Sequence, residues 1–283
     1  PRVRGIMPKL QLKGFLQRLK SSYPYALLIF LMALYTRVDS VMLQQLVGDL
    51  ENGIYSQAFR LLDAINQPAY LFSVLLLPMF SGMLARKESV TALSKLAFSL
   101  LFVMGLAISV ATYFAAPDLM ALLYDNHSAS SAPVLQALLF SSLAFGTTFV
   151  FGTLLTAKGD LKLLNKVAFM GFLLNVILNL ILIPFYGALG AAVATVFTQS
   201  VAALVQMYLC FRNLELKYGF QFWMRITLYS AFAIGGSVLM SIYLPLIWWQ
   251  LGLLIGGFIA VLAFPSGLLP LKDAYLLIKP SQK

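Results

Sequence analysis

The chain has 283 residues, of which 60% are hydrophobic and 11% charged, with a net charge of +10. A soluble domain carries about 25% charged residues, so this composition excludes a water-soluble globular fold and predicts an all-α integral membrane protein. A single cysteine, Cys210, and a single histidine, His127, exclude an internal disulfide and argue against a His-based metal site; no cofactor and no metal are expected.

The apolar residues come in runs of about 20, long enough to cross the hydrocarbon as helices. Residue 1 is proline, and the chain reads as part of a longer protein. Residues 1–23 are basic, and Leu10, Leu12, Phe15, Leu16 and Leu19 are spaced among the charges. That pattern fits an interfacial amphipathic helix or an ordinary juxtamembrane linker. Eight spans follow, at roughly 24–47, 54–81, 92–115, 133–157, 164–185, 187–211, 222–244 and 246–265. The breaks are turn clusters: Gly48 to Gly53, the Ser-rich stretch Asp125 to Pro133, Pro184 to Gly187, and Pro245. The expected domains are an interfacial segment at 1–23, a six-span lobe at 24–212, two further helices at 213–270 and a tail at 271–283.

Loop charge sets the orientation. Eighteen of the twenty Lys and Arg fall in the N-terminal segment, the even loops and the tail, while the odd loops carry Asp49, Glu51, Asp118 and Asp125. Short basic loops stay cytoplasmic, so both termini are expected in the cytoplasm. The basic residues then read as topology signals at an anionic membrane face, and nucleic acid is not an expected partner.

The other two basic residues, Arg37 and Arg60, lie inside spans, as do Asp39 and Asp63. Intramembrane charges are costly and need a partner or a wet cavity. Arg37 and Asp39 are about 200° apart on their helix, so they face different surroundings. Ser56, Arg60, Asp63, Gln67 and Tyr70 form one polar stripe on the second span. Two readings stay open: the stripe and Arg37 line a cavity that binds substrate, or the four charges pair as salt bridges that fix the hairpin. Asp39 is expected to pack against a neighbouring span, and Asp39 and Asp63 are candidates for ion pairing or cation coupling. Asn175 and Asn179, four residues apart, read as interhelical hydrogen-bonding groups. Thr195, Thr198, Gln199 and Gln206 share one side of the sixth span. No catalytic constellation and no phosphate-cradling Gly-rich loop is present, so no enzyme activity is expected.

The run Asn175-Val-Ile-Leu-Asn179 through Ile183-Pro184-Phe-Tyr-Gly187 to Gly190-Ala-Ala-Val-Ala-Thr195 resembles a helix hairpin of polysaccharide flippases. These are the Wzx-type, O-antigen members of the multidrug/oligosaccharidyl-lipid/polysaccharide exporter superfamily. Tyr35-Thr-Arg37-Val-Asp39 and Gly53-Ile-Tyr55-Ser-Gln-Ala-Phe-Arg60 resemble the opening hairpin of the same lobe. The resemblance covers about residues 20–215 and implies the C-terminal lobe of a two-lobed transporter whose N-terminal lobe is missing here. It implies flipping of an undecaprenyl-pyrophosphate-linked oligosaccharide across the bacterial inner membrane, with Arg37 and Arg60 toward the pyrophosphate. Membrane lipid is the other expected partner. The alternatives are a cation-coupled multidrug exporter of the same superfamily and a membrane-embedded enzyme of glycan assembly.

Cysteines placed singly at Lys87, Lys162, Arg212, Asp49 and Asp125, with Cys210 changed to Ala, test the orientation. An impermeant thiol reagent applied outside should label only positions 49 and 125, and outside labelling at 162 would overturn the topology.

Overall fold

The structure, a computed structural model, describes residues 12–269. The expected tail and the basic residues Arg2, Arg4 and Lys9 lie outside the described residues. The elements are α1 (Leu12–Leu46), α2 (Asp49–Ala85), α3 (Thr91–Leu123), α4 (Ser128–Leu139), α5 (Ser141–Lys158), α6 (Leu161–Asn213), α7 (Phe220–Tyr243) and α8 (Trp248–Leu262). The backbone of the expected interfacial segment, from residue 12 onward, is continuous with α1.

Eight helices match the eight expected spans in number but not one to one. The fourth span is split into α4 and α5, which meet at a bend of 40°. The Ser141 hydroxyl donates to the Leu138 carbonyl at 2.6 Å, the carbonyl that would take the Ser142 N–H in an unbroken helix, and such competition bends helices. The fifth and sixth spans are both contained in α6. Its 53 residues would run about 80 Å if straight, against roughly 30 Å of hydrocarbon. The chain instead folds back at Gly187, whose φ of 52° and ψ of −131° interrupt the helix. A Cβ built on Gly190 would fall 2.5 Å from the Leu182 carbonyl oxygen, so the two arms touch immediately below the turn. At the start of the second arm, the Glu51 carboxylate of α2 accepts the Ala188 N–H at 2.7 Å. It thereby fills a helix N-terminus that has no intrahelical acceptor. The eighth span is shorter than expected, 15 residues, because Pro245 and Pro265 bound it.

Within the bundle, α5 lies among α2, α3 and α6, while α1 rests on α6 and α8 on α3. The buried apolar residues divide into two layers. One joins Leu43, Ile54, Leu62, Met120, Leu135 and Ile183 toward the Gly187 turn. The other joins Phe80, Phe98, Phe151, Cys210, Phe222 and Tyr229 toward the basic loops. Gaps between these layers hold the polar groups described below.

At Gly187 an added Cβ would meet the Glu51 carboxylate and would sit on a backbone that L-residues avoid. Gly187→Ala should therefore destabilise the fold by about 1–3 kcal/mol, read as a lower melting temperature and a smaller monodisperse fraction on gel filtration. Gly53→Ala, inside α2 where a Cβ meets nothing within 4 Å, should lower neither, because alanine favours the helix over glycine.

Candidate functional site

The four intramembrane charges occupy two different environments. Asp39 is 2% exposed. Its Oδ2 accepts the Tyr55 hydroxyl of α2 at 2.8 Å and the Thr195 hydroxyl of the second α6 arm at 2.7 Å. Its Oδ1 accepts the Asn179 amide of the first α6 arm at 2.5 Å. Asn179 also donates to Asn175 Oδ1 at 3.0 Å. One carboxylate thus joins three helical segments besides its own, all through neutral donors. Asn175 Nδ2 and Asn179 Oδ1 are buried with no hydrogen-bond partner. Beside this cluster Tyr35 of α1 donates to Thr198 at 2.8 Å, which ties α1 to the second arm one turn further on.

Arg37, Arg60, Asp63, Gln67 and Tyr70 are all exposed, and Ser56 is half-buried. They form a polar belt across the open face of α1 and α2. The ion pairs among the described residues are Arg86–Glu88 and Lys158–Asp160, both at loops. Among the described residues no ion pair within 4 Å joins any two of the four intramembrane charges. Arg37 and Asp39 diverge by helical phase, and Asp39 is enclosed by hydroxyl and amide donors in place of an arginine. Arg37 does lie within electrostatic range of Asp63.

Below the Asp39 cluster, toward the basic loops, a cavity of about 570 Å³ lies among α1, α2, α5 and both α6 arms. Tyr35 and Tyr70 both line it, so it adjoins the buried cluster on one side and the belt on the other. Among the described residues no three His, Cys, Asp or Glu gather as metal ligands. The atoms able to approach a cation are the Asp39 carboxylate, the Thr195 hydroxyl and the unpartnered Asn179 Oδ1, a set suited to a small hard ion of low charge.

Sequence reasoning placed Asp39, Asn175 and Asn179 at helix contacts but did not assign Tyr55 or Glu51 a partner. A signal for Tyr55 existed. Asp39 and Tyr55 lie eight residues either side of Val47, and Asn179 and Thr195 eight residues either side of Gly187. Each pair therefore sits about 12 Å below its turn, at one common depth.

No family model matches the chain. The uncharacterized membrane protein MJ1068 of Methanocaldococcus jannaschii is 29% identical over 48% of this chain and 27% of its own length. The uncharacterized membrane protein MJ1375 of the same organism is 27% identical over 69% of this chain and 46% of its own length. A solved structure of the lipid II flippase MurJ in an inward closed conformation superposes with a TM-score of 0.72 at 16% identity, covering 94% of this chain and 57% of that one. The chain thus shares the multi-pass helical fold of that solved structure, and it spans less than two thirds of each of these proteins.

Tyr55 and Thr195 act on the same carboxylate oxygen, so their contributions should be coupled. Tyr55→Phe and Thr195→Val should each destabilise by about 1.5–3 kcal/mol, the range for hydrogen bonds to a charged group. The double variant should depart from the sum of the two. Strict additivity in thermal unfolding would show that the two hydroxyls do not share Asp39.

Proposed function

We propose that the chain is the C-terminal portion of a two-lobed flippase that moves a polyprenyl-pyrophosphate-linked oligosaccharide across the cytoplasmic membrane for surface polysaccharide assembly. The observation that carries this reading is the belt of Arg37, Arg60, Asp63, Gln67 and Tyr70 exposed on α1 and α2. Charges at this depth are costly against lipid, so the face is read as one wall of a wet central cavity. Residues 24–212 form the lobe, 213–270 are trailing helices, and an N-terminal lobe of the full protein supplies the facing wall. Arginine suits a pyrophosphate because its planar fork donates two parallel bonds. The likeness to a flippase of lipid II supports a lipid-linked substrate. The curated relatives are archaeal. A bacterial undecaprenyl carrier and an archaeal polyprenyl carrier present the same phosphate and prenyl chemistry to these arginines. The basic loops support cytoplasmic termini.

A second reading concerns energy coupling and is favoured by Asp39. A carboxylate buried in the membrane without a basic partner is expensive, and a proton or monovalent cation would relieve it. That role fits the flippase and also the alternative of a cation-coupled multidrug exporter.

The Arg60 series separates ligand binding from a structural role. In the full protein, flipping of a fluorescent lipid-linked oligosaccharide in proteoliposomes should be partly kept in Arg60→Lys and lost in Arg60→Gln and Arg60→Glu, with folded protein near the parent level. Recovery of flipping in Arg60→Gln combined with Asp63→Asn would show that Arg60 only balances Asp63, and would sink the proposal.

A further inference from the structure

The cavity below Asp39 has a composition that the proposed flipping cycle does not use. None of its lining residues is charged. The lining is mostly apolar, as with Ile29, Met32 and Val74 at α1 and α2, but Thr148, Gln199 and Gln206 of α5 and the second α6 arm bring polar groups to it. Gln206 Oε1 and Thr148 Oγ1 are buried there without a hydrogen-bond partner, although both side chains line the cavity. Gln206 is 6% exposed and Thr148 9%. An unpartnered polar atom at membrane depth costs about 1–3 kcal/mol; Gln206 Oε1 is packed against Gly152, and a rotation of either side chain toward the cavity would bring its oxygen to water.

These polar groups also lead somewhere. Gln206, Gln199 and Thr195 are seven and four residues apart on the second α6 arm, so they share one face. They form a ladder from the basic-loop end up to the Asp39 carboxylate. Tyr35 closes its top: it lines the cavity, and its hydroxyl holds Thr198 at 2.8 Å. Asp39 lies within electrostatic range just behind it.

We propose that this cavity is a hydrated vestibule through which the coupling ion of Asp39, a proton or a monovalent cation, passes on the side of the basic loops, and that the Tyr35–Thr198 hydrogen bond is its gate. The inference rests on the coupling role given to Asp39 above. The passage needs water and neutral oxygens but no fixed charge, which would bind the ion and hold it. The ladder supplies amide and hydroxyl oxygens. Tyr35 is a positioning residue: it touches neither carboxylate oxygen but controls which side of the cluster water reaches.

Thiol accessibility in the full protein, with its native cysteines replaced, tests both parts. Ala168→Cys and Ala202→Cys line the cavity, and Leu254→Cys lies on an exposed apolar face of α8. In vesicles with the basic-loop side outward, the cationic reagent 2-(trimethylammonium)ethyl methanethiosulfonate should modify positions 168 and 202 and leave 254 untouched. Modification of 168 and 202 only by a neutral, lipid-soluble maleimide would show a cavity filled by hydrocarbon and would overturn the vestibule. Behind the gate, Asn175→Cys should be protected in the parent and react about fivefold to tenfold faster in Tyr35→Phe, the factor expected for one lost hydrogen bond. Thr198→Ser, which keeps the hydroxyl, should stay protected. If Asn175→Cys does not fold, Thr195→Cys serves as a second reporter of the gate but not of ion protection, because the Thr195 hydroxyl is itself placed at the ion. Equal rates with and without the Tyr35 hydroxyl would overturn the gate. Sodium at constant pH should slow modification behind the open gate if it is the ion; a proton is assigned if a lowered pH slows position 175 more than position 202, whose thiol reports the pH dependence of the reagent itself. If neither does, the ion assignment falls. A loss of flipping with these accessibilities intact would count against the flippase reading and leave the vestibule standing.

Discussion

A carboxylate enclosed in the membrane interior without a cation beside it is the constraint that orders this bundle. Moving such a group out of water costs several kcal/mol, and the cost is met only if hydrogen-bond donors converge on it from outside its own helix. Asp39 draws them from α2 and from both arms of α6. The register of two hairpins is fixed by that requirement. A shift of one residue in any of the three segments would turn its donor about 100° away.

The same constraint separates two kinds of charge within one short stretch of α1. Asp39 turns inward to α6, so Arg37, two residues earlier, turns outward. The outward face then continues along α2 through Arg60, Asp63 and Gln67. Burial against neutral donors and exposure on an open wall are therefore two results of one helical period. The apolar layers on either side leave the polar cluster and the cavity between them, where α1 leans on α6 and α2 on α5.

Much of this was legible in the sequence. Hydropathy located the apolar segments, and helical phase separated Arg37 from Asp39. Other features depended on information the local pattern lacks. The bend at Phe140 comes from one serine hydroxyl competing for a carbonyl, while Ser200, Ser230 and Ser237 make such bonds without breaking their helices. The part played by Tyr55 needed depth compared across two turns, not periodicity along one helix. Glu51 read as a marker of orientation because its partner lies 137 residues away. The cavity arises from the divergence of two helices that rest on different neighbours, which no single segment encodes.

The bond between Glu51 and Ala188 has a mechanical consequence. It fastens the Asp49 end of α2 to the tip of the α6 hairpin, so those two ends travel together. Beyond Asp39, α1 and α2 stand apart around the cavity, α1 held to α6 by the Tyr35–Thr198 and Asn165–Pro24 hydrogen bonds and α2 resting on α5. Any rocking of this bundle would then pivot near the Gly187 tip, with the long arms beyond Asp39 as levers. A small rotation at the clasp would be amplified into a wide change of separation at the opposite membrane face, while the carboxylate, close to the fulcrum, would hardly be displaced.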